Sequence, residues 1–151
     1  MQFLHTFSVK ISGKWGGIDK TGKLVIPSDF DGPFWLSDGL ASVEFNGKCG
    51  CIDKTGKFVI PADFDYPFTF SDGLAPVHIN KKWGWIDRTG KFIIPAQFDL
   101  VRNHDKAGIA HVMIGGKWGC IDKTGKVIVP IEFDDYRKMM EALKQINKTS
   151  R

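Results

Sequence analysis

Residues 13–22 read GKWGGIDKTG, and residues 47–56 read GKCGCIDKTG, the same phrase with a cysteine where the tryptophan stood. The phrase returns twice more. Trp15-Gly16 recurs as Cys49-Gly50, Trp83-Gly84 and Trp118-Gly119, at spacings of 34, 34 and 35 residues. Each copy continues with Ile-Asp (Ile18-Asp19, Ile52-Asp53, Ile86-Asp87, Ile121-Asp122), a glycine, a lysine, three apolar residues and a proline. Each closes on Phe-Asp, from Phe30-Asp31 to Phe133-Asp134. Self-similarity at a fixed period of this length is the signature of a repeat architecture.

Every segment of the unit has a physical reading. Val9-Lys10-Ile11 and its copies place apolar residues on one face of a strand. Asn46-Gly47 and Gly115-Gly116 are two-residue hairpin turns, which need residues tolerant of positive φ. The Trp-Gly-x-Ile-Asp stretch is a second strand. Asp-Lys-Thr-Gly-Lys then suits a type I turn with its glycine left-handed and its aspartate accepting backbone hydrogen bonds. The third strand (Leu24 to Ile26 and its copies) is apolar on both faces, which predicts that both are covered. Proline, lacking an N–H, is expected to end the ladder there. One unit is thus a three-stranded antiparallel meander that cannot bury itself alone, so units must stack.

Four units, at about 7–31, 41–65, 75–99 and 110–134 with their connections, account for residues 1–134. Residues 135–151 break the pattern. Tyr136, Met139, Met140, Leu143 and Ile146 share one face at helical spacing, which predicts an amphipathic helix capping the last unit, followed by a short tail. The expected fold is all-β: tandem meanders stacked as an elongated or curved array, closed by a C-terminal helix. A propeller-like ring is the alternative.

The long motif, G-K-W-G-x-I-D-x-T-G-K followed by V/I-I-P, F-D and a downstream S-D-G-L-A, resembles the WG repeat family of bacterial proteins. The resemblance implies a β-rich repeat array and brings no catalytic residue with it. Arrays of this kind often act as binding surfaces.

Composition narrows the function classes. With 42% apolar and 25% charged residues, the chain is an ordinary globular one. A net charge of +4 permits an acidic partner without demanding one. Three cysteines, only two of them neighbours, do not make a disulfide framework, and Cys49 and Cys51 supply half of a four-ligand zinc site at most. The N-terminus shows no secretory signal, and no window reaches the roughly 18–20 apolar residues of a membrane span, so a cytoplasmic setting is expected. The eight repeated aspartates read as turn chemistry, because an active site would not be copied into every unit. No cofactor, metal or catalytic residue is assigned.

The reading that follows is a non-enzymatic, repeat-based protein-binding module, of the sort that serves as an inhibitor, immunity or adaptor protein in a bacterial system. Its partner is another protein, not a membrane. The contact site is placed at Arg102, Asn103, His104, Asp105 and Lys106, on the one irregular connection, where Leu100-Val101-Arg102-Asn103 replaces Gly32-Pro33-Phe34-Trp35 and Tyr66-Pro67-Phe68. The alternative uses the turn tips, Lys20 and Lys23, Lys54 and Lys57, Arg88 and Lys91, Lys123 and Lys126, as a basic edge for a polyanion or nucleic acid. A second alternative is an uncharacterised structural repeat protein. The missing tryptophan at position 49 would cost a packed core about 3–5 kcal/mol, and Trp35 is the expected compensator, with Trp85 as another candidate.

Overall fold

The computed structural model describes residues 6–149. Its strands form four small antiparallel sheets in chain order. The first holds β1 (Phe7–Ile11), β2 (Lys14–Ile18) and β3 (Leu24–Phe30). The second holds β4 (Leu40–Phe45), β5 (Lys48–Asp53) and β6 (Phe58–Phe64). The third holds β7 (Ala75–Ile79), β8 (Lys82–Ile86) and β9 (Phe92–Phe98). The fourth adds a short edge strand, β10 (Leu100–Arg102), before β11 (Ala110–Ile114), β12 (Lys117–Ile121) and β13 (Val127–Phe133). Helix α1 (Tyr136–Thr149) follows.

Each sheet packs face to face on the next, and the core is a series of separate layers. Ile26, Phe30, Val43 and Ile52 meet between the first and second sheets. Cys51, Ile60, Phe64, Val77 and Ile86 meet between the second and third. Trp85, Ile94, Phe98, Val112 and Ile121 fill the next layer. The last is made by Cys120 and Val129 with Met139 and Leu143 of α1. The helix therefore occupies the face onto which a further sheet would stack. In a closed ring the first unit would sit there, so the array is open. The expected capping face is the observed one, with Met139 fully buried.

The third strand departs from expectation twice. It runs through its proline to the Phe-Asp end, seven residues in every unit, and the ladder slips at a bulge instead of stopping. A bulge is where a strand tolerates a residue without an N–H. Nor is its cover even from residue to residue. Only the third apolar residue of each (Ile26, Ile60, Ile94, Val129) is fully buried, while Leu24, Val59, Phe92 and Val127 stay exposed.

The bulge explains the glycine of Trp-Gly. A Cβ on Gly84 would stand 2.6 Å from the Ile94 carbonyl oxygen and 2.7 Å from the Ala96 nitrogen, and Gly16, Gly50 and Gly119 are equally tight against their own third strands. The glycine of the Asp-Lys-Thr-Gly turn has a different reason. It sits at φ near +89°, and in the second to fourth units it packs on the preceding sheet, Gly56 on Ile26, Gly90 on Ile60 and Gly125 on Ile94. Gly22, in the first unit, meets nothing.

The aspartates do structural work in two sets. Asp19 accepts from the backbone N–H of Thr21 (2.9 Å) and of Lys23 (3.1 Å), and Asp53, Asp87 and Asp122 repeat the arrangement. Asp31, Asp65, Asp99 and Asp134 instead bind the lysine just before the Trp-Gly or Cys-Gly pair of their own unit, Lys14, Lys48, Lys82 and Lys117, across 17 residues. Spacing alone did not reveal this second ladder.

The tryptophans are less enclosed than expected: Trp15, Trp83 and Trp118 are half-buried, whereas Cys49 is buried. Trp35 is not the compensator, since it is 76% exposed and belongs to no core layer. Trp85 is fully buried, but in the layer between the third and fourth sheets. What accompanies the loss is a change along one row of the sheet. In the third unit Tyr66 stacks on Trp83 (5.8 Å between centroids, 16° between planes), with His78 against both rings. The second unit has Gly32, Glu44 and Cys49 at the matching positions. The tryptophan and its tyrosine support are absent together.

Candidate functional site

The irregular connection folds differently because its sequence does. The second and third units are entered through a two-residue turn, Ser37 to Leu40 and Ser71 to Leu74, with Asp38, Gly39, Asp72 and Gly73 at positive φ. The fourth is entered through Asp105-Lys106-Ala107-Gly108. There Asp105 Oδ1 accepts from Ala107 N–H (2.9 Å) and Ile109 N–H (3.0 Å), a copy of the Asp-Lys-Thr-Gly turn used elsewhere in the unit.

Ahead of that turn the chain is fastened to the core. Trp85 Nε1–H donates to Asn103 Oδ1 at 3.1 Å, so the largest buried side chain satisfies its one donor on this connection. The same oxygen accepts from the His104 N–H at 2.9 Å. The His104 ring lies 5.0 Å from the Trp85 ring, and its Nε2 is 3.2 Å from the Asp122 carbonyl oxygen. A carbonyl only accepts, so Nε2 carries the proton and Nδ1 is left as an acceptor. Burial holds the imidazole below its ordinary pKa and keeps it neutral.

These residues form one wall of a polar cleft of about 280 Å³, lined by Asn103, His104, Asp105 and Lys106 on one side and Ser71, Asp72 and Leu74 on the other, with Lys123 between. Lys123 Nζ is 2.8 Å from Asp72 Oδ2, linking the fourth unit's turn to the loop that enters the third. Of the five residues expected at the contact site, four share this cleft. Arg102 points elsewhere, its guanidinium 4.6 Å from the centroid of Tyr136, where it ties the connection to α1. Sequence reasoning missed Ser71, Asp72 and Leu74. The Ser-Asp-Gly-Leu phrase was visible, but nothing in it shows which later loop it faces.

The basic tips do not form a uniform edge. Lys20, Lys23, Lys54, Lys57, Lys91 and Lys126 are exposed. Arg88 is turned inward, donating to the Asp38 carbonyl (3.0 Å) and lying over the Phe70 ring, and Lys123 is held by Asp72. Two of the eight cations thus clamp one unit to a loop entered earlier in the chain.

The sequence profile described as the WG containing repeat matches residues 15–49, 50–83, 83–118 and 118–139. The chain belongs to the WG repeat family. No curated protein matches this WG repeat chain significantly. Among solved structures, one described as the crystal structure of the eukaryotic initiation factor aligns with a TM-score of 0.49 at 10% identity, over 82% of this chain and 38% of that one. The WG repeat chain therefore spans well under half of that structure's length. Among the described residues no helix is long and apolar enough to cross a membrane.

Proposed function

We propose that this WG repeat array is a non-enzymatic module that binds another protein, and that the cleft beside the fourth unit is its contact site. The observation that carries the reading is the irregular connection itself. It is the place where the repeat pattern is abandoned, yet Asn103 is anchored to the buried Trp85. A tolerated insertion has no need of such an anchor. The polar groups around it are already committed: Asp72 to Lys123, Asp105 to its own turn and His104 to a backbone carbonyl. Such a wall suits recognition of a polar protein segment better than proton transfer to a substrate, which needs a group free to move its proton. An inhibitor, immunity or adaptor role in a bacterial system fits a module of this size.

The test is a partner isolated on the immobilised chain, identified, purified and then titrated calorimetrically. H104A and K106E should weaken binding at least tenfold, and the tip pair K57E/K91E should leave it unchanged. The opposite result, with binding lost from the tip variant and falling steeply with salt, would favour polyanion binding along the tips.

A further inference from the structure

Strands β4, β7 and β11 of the second, third and fourth sheets each receive, on the edge away from the next strand, the end of the preceding unit, which in the fourth sheet continues as β10. The Asp31 N–H donates to the Glu44 carbonyl (2.8 Å), Asp65 to His78 (2.9 Å) and Asp99 to Met113 (2.8 Å). The aspartate side chain completes the joint by reaching the receiving hairpin. Gly47 N–H donates to Asp31 Oδ2 at 3.0 Å, and Gly115 N–H to Asp99 Oδ2 at 2.7 Å. In the third sheet the receiving strand adds a side chain, His78 Nδ1 lying 2.7 Å from Asp65 Oδ2. The residue after that aspartate, Tyr66, then lies along the row to Trp83.

The first sheet has the receiving parts and no described segment in them. Among the described residues β1 is an edge strand paired only with β2. Lys10 holds the position of Glu44, His78 and Met113, opposite Trp15 in the register, so its carbonyl faces outward as theirs do. Its hairpin, Ser12 at φ 51° and Gly13 at φ 85°, has the same backbone as Asn46-Gly47 and presents the same N–H groups. Where His78 bonds the incoming carboxylate, the first sheet has an exposed lysine. Trp15, half-buried, ends the row.

We infer that the outer edge of β1 is a docking site for an extended, aspartate-bearing segment of a partner protein, added as a strand with its carboxylate between Lys10 and the Ser12-Gly13 hairpin. Strand addition of this kind draws its affinity from main-chain hydrogen bonds and its specificity from the side chains that meet the receiving row. An aromatic residue directly after the aspartate matches Trp15, as Tyr66 matches Trp83. A second copy of this chain is the weaker occupant. The Phe-Asp end that could enter the joint, Phe133-Asp134, runs straight into α1, which covers the stacking face. Phe7 also stands where Ala41, Ala75 and Ala110 are buried in the inner layers, and its bulk opposes a stacked sheet. The inference is independent of the cleft beside the fourth unit.

The probe is a fluorescein-labelled peptide with the sequence of residues 63–69, DFDYPFT, titrated with the full chain by anisotropy. Saturable binding is expected. It should weaken at least tenfold when the peptide's second aspartate is replaced by asparagine, and again with K10E, while K10M should lie between and K106E should bind normally. Circular dichroism melting of K10E keeps a folding defect distinguishable. No saturable binding up to about 1 mM, an affinity of only about −4 kcal/mol, would overturn the proposal. So would equal binding of the asparagine peptide, or loss of binding in K106E instead of K10E. Concentration-dependent self-association abolished by K10E would give the edge to a second copy. Peptide binding that appears only after deletion of residues 1–5 would show the edge to be filled from within. Either result also overturns it.

Discussion

At the scale of single residues, the glycine of Trp-Gly is the most constrained position in the repeat. A methyl group on Gly84 meets backbone atoms of Ile94 and Ala96 below 3 Å, and backbone cannot rotate aside as a long side chain can. Gly84→Ala is expected to cost about 3 kcal/mol, the upper end for overpacking, read as a lower urea midpoint. Gly22→Ala is strained by its φ of +87° but meets no neighbour, and should cost only about 1 kcal/mol. Two histidines set the response to mild acid. Burial lowers the pKa of both His104 and His111, and His111 Nδ1 also lies 2.7 Å from the Tyr136 hydroxyl. The unfolded chain takes up protons near pH 6.5, its ordinary histidine value, before the folded chain does. Stability is thus complete above about that pH and falls as pH drops through it towards the folded values. The urea midpoint should decline between pH 7.5 and 5.5, and the double variant H104Q/H111Q should show a shallower decline. An unchanged slope would mean that these rings titrate alike in both states. More acidic loss belongs to aspartates such as Asp65, held below the ordinary carboxylate range first by Lys48 and then by His78.

Elements were legible in the sequence to different depths. The hairpins could be read because Asn46-Gly47 and Gly115-Gly116 carry their conformational requirement in their identity. The helix could be read because Met139 and Leu143 repeat at its period. The run of β3 through Pro27 could not, since the bulge that accommodates proline depends on Gly16 across the sheet and not on local propensity. The Lys-to-Phe-Asp ladder was hidden because its partners are 17 residues apart and meet only once the meander has formed. For the candidate site, sequence marked residues 102–106 as individual but could not supply the opposite wall, which comes from the loop at Ser71–Leu74. It also grouped Arg102 with its neighbours, although the side chain leaves for Tyr136. Helix α1 offers the test at this scale. Met139 and Leu143 seal Cys120, whose thiol is pushed up to about 11 by burial. Leu143→Ala should cost about 2–5 kcal/mol and speed the reaction of Cys120 with a thiol reagent at neutral pH. Cys51, buried between the second and third sheets, should keep its slow rate and serves as the internal control.

For the whole molecule, the consequence of layered cores is that stability is a sum over neighbours, not a property of one centre. The inner sheets are packed on both faces, and the fourth gains its second face from α1. Among the described residues the first sheet is packed on one face only, with Phe7 55% and Ile11 42% exposed on the other. Detaching it sacrifices one interface, whereas opening the second or third sheet sacrifices two. Hydrogen exchange should therefore be graded along the chain, with amides of β1 and β2 at least tenfold less protected than those of β7 and β8, a difference of about 1.4 kcal/mol. Uniform protection would mean that the array opens as a single cooperative block. A mutation separates the two cases further. Ile26, fully buried, belongs to the first interface alone, where it also supports Gly56 of the next unit. Ile26→Ala should cost about 2–5 kcal/mol locally, raising exchange through β1–β3 while β8 keeps its protection. Ile94→Ala, the matching change in the layer between the third and fourth sheets, removes support from units that hold one another on both sides. It should lower protection on both flanks, in β8 and in β12, because neither can reform its layer without the other.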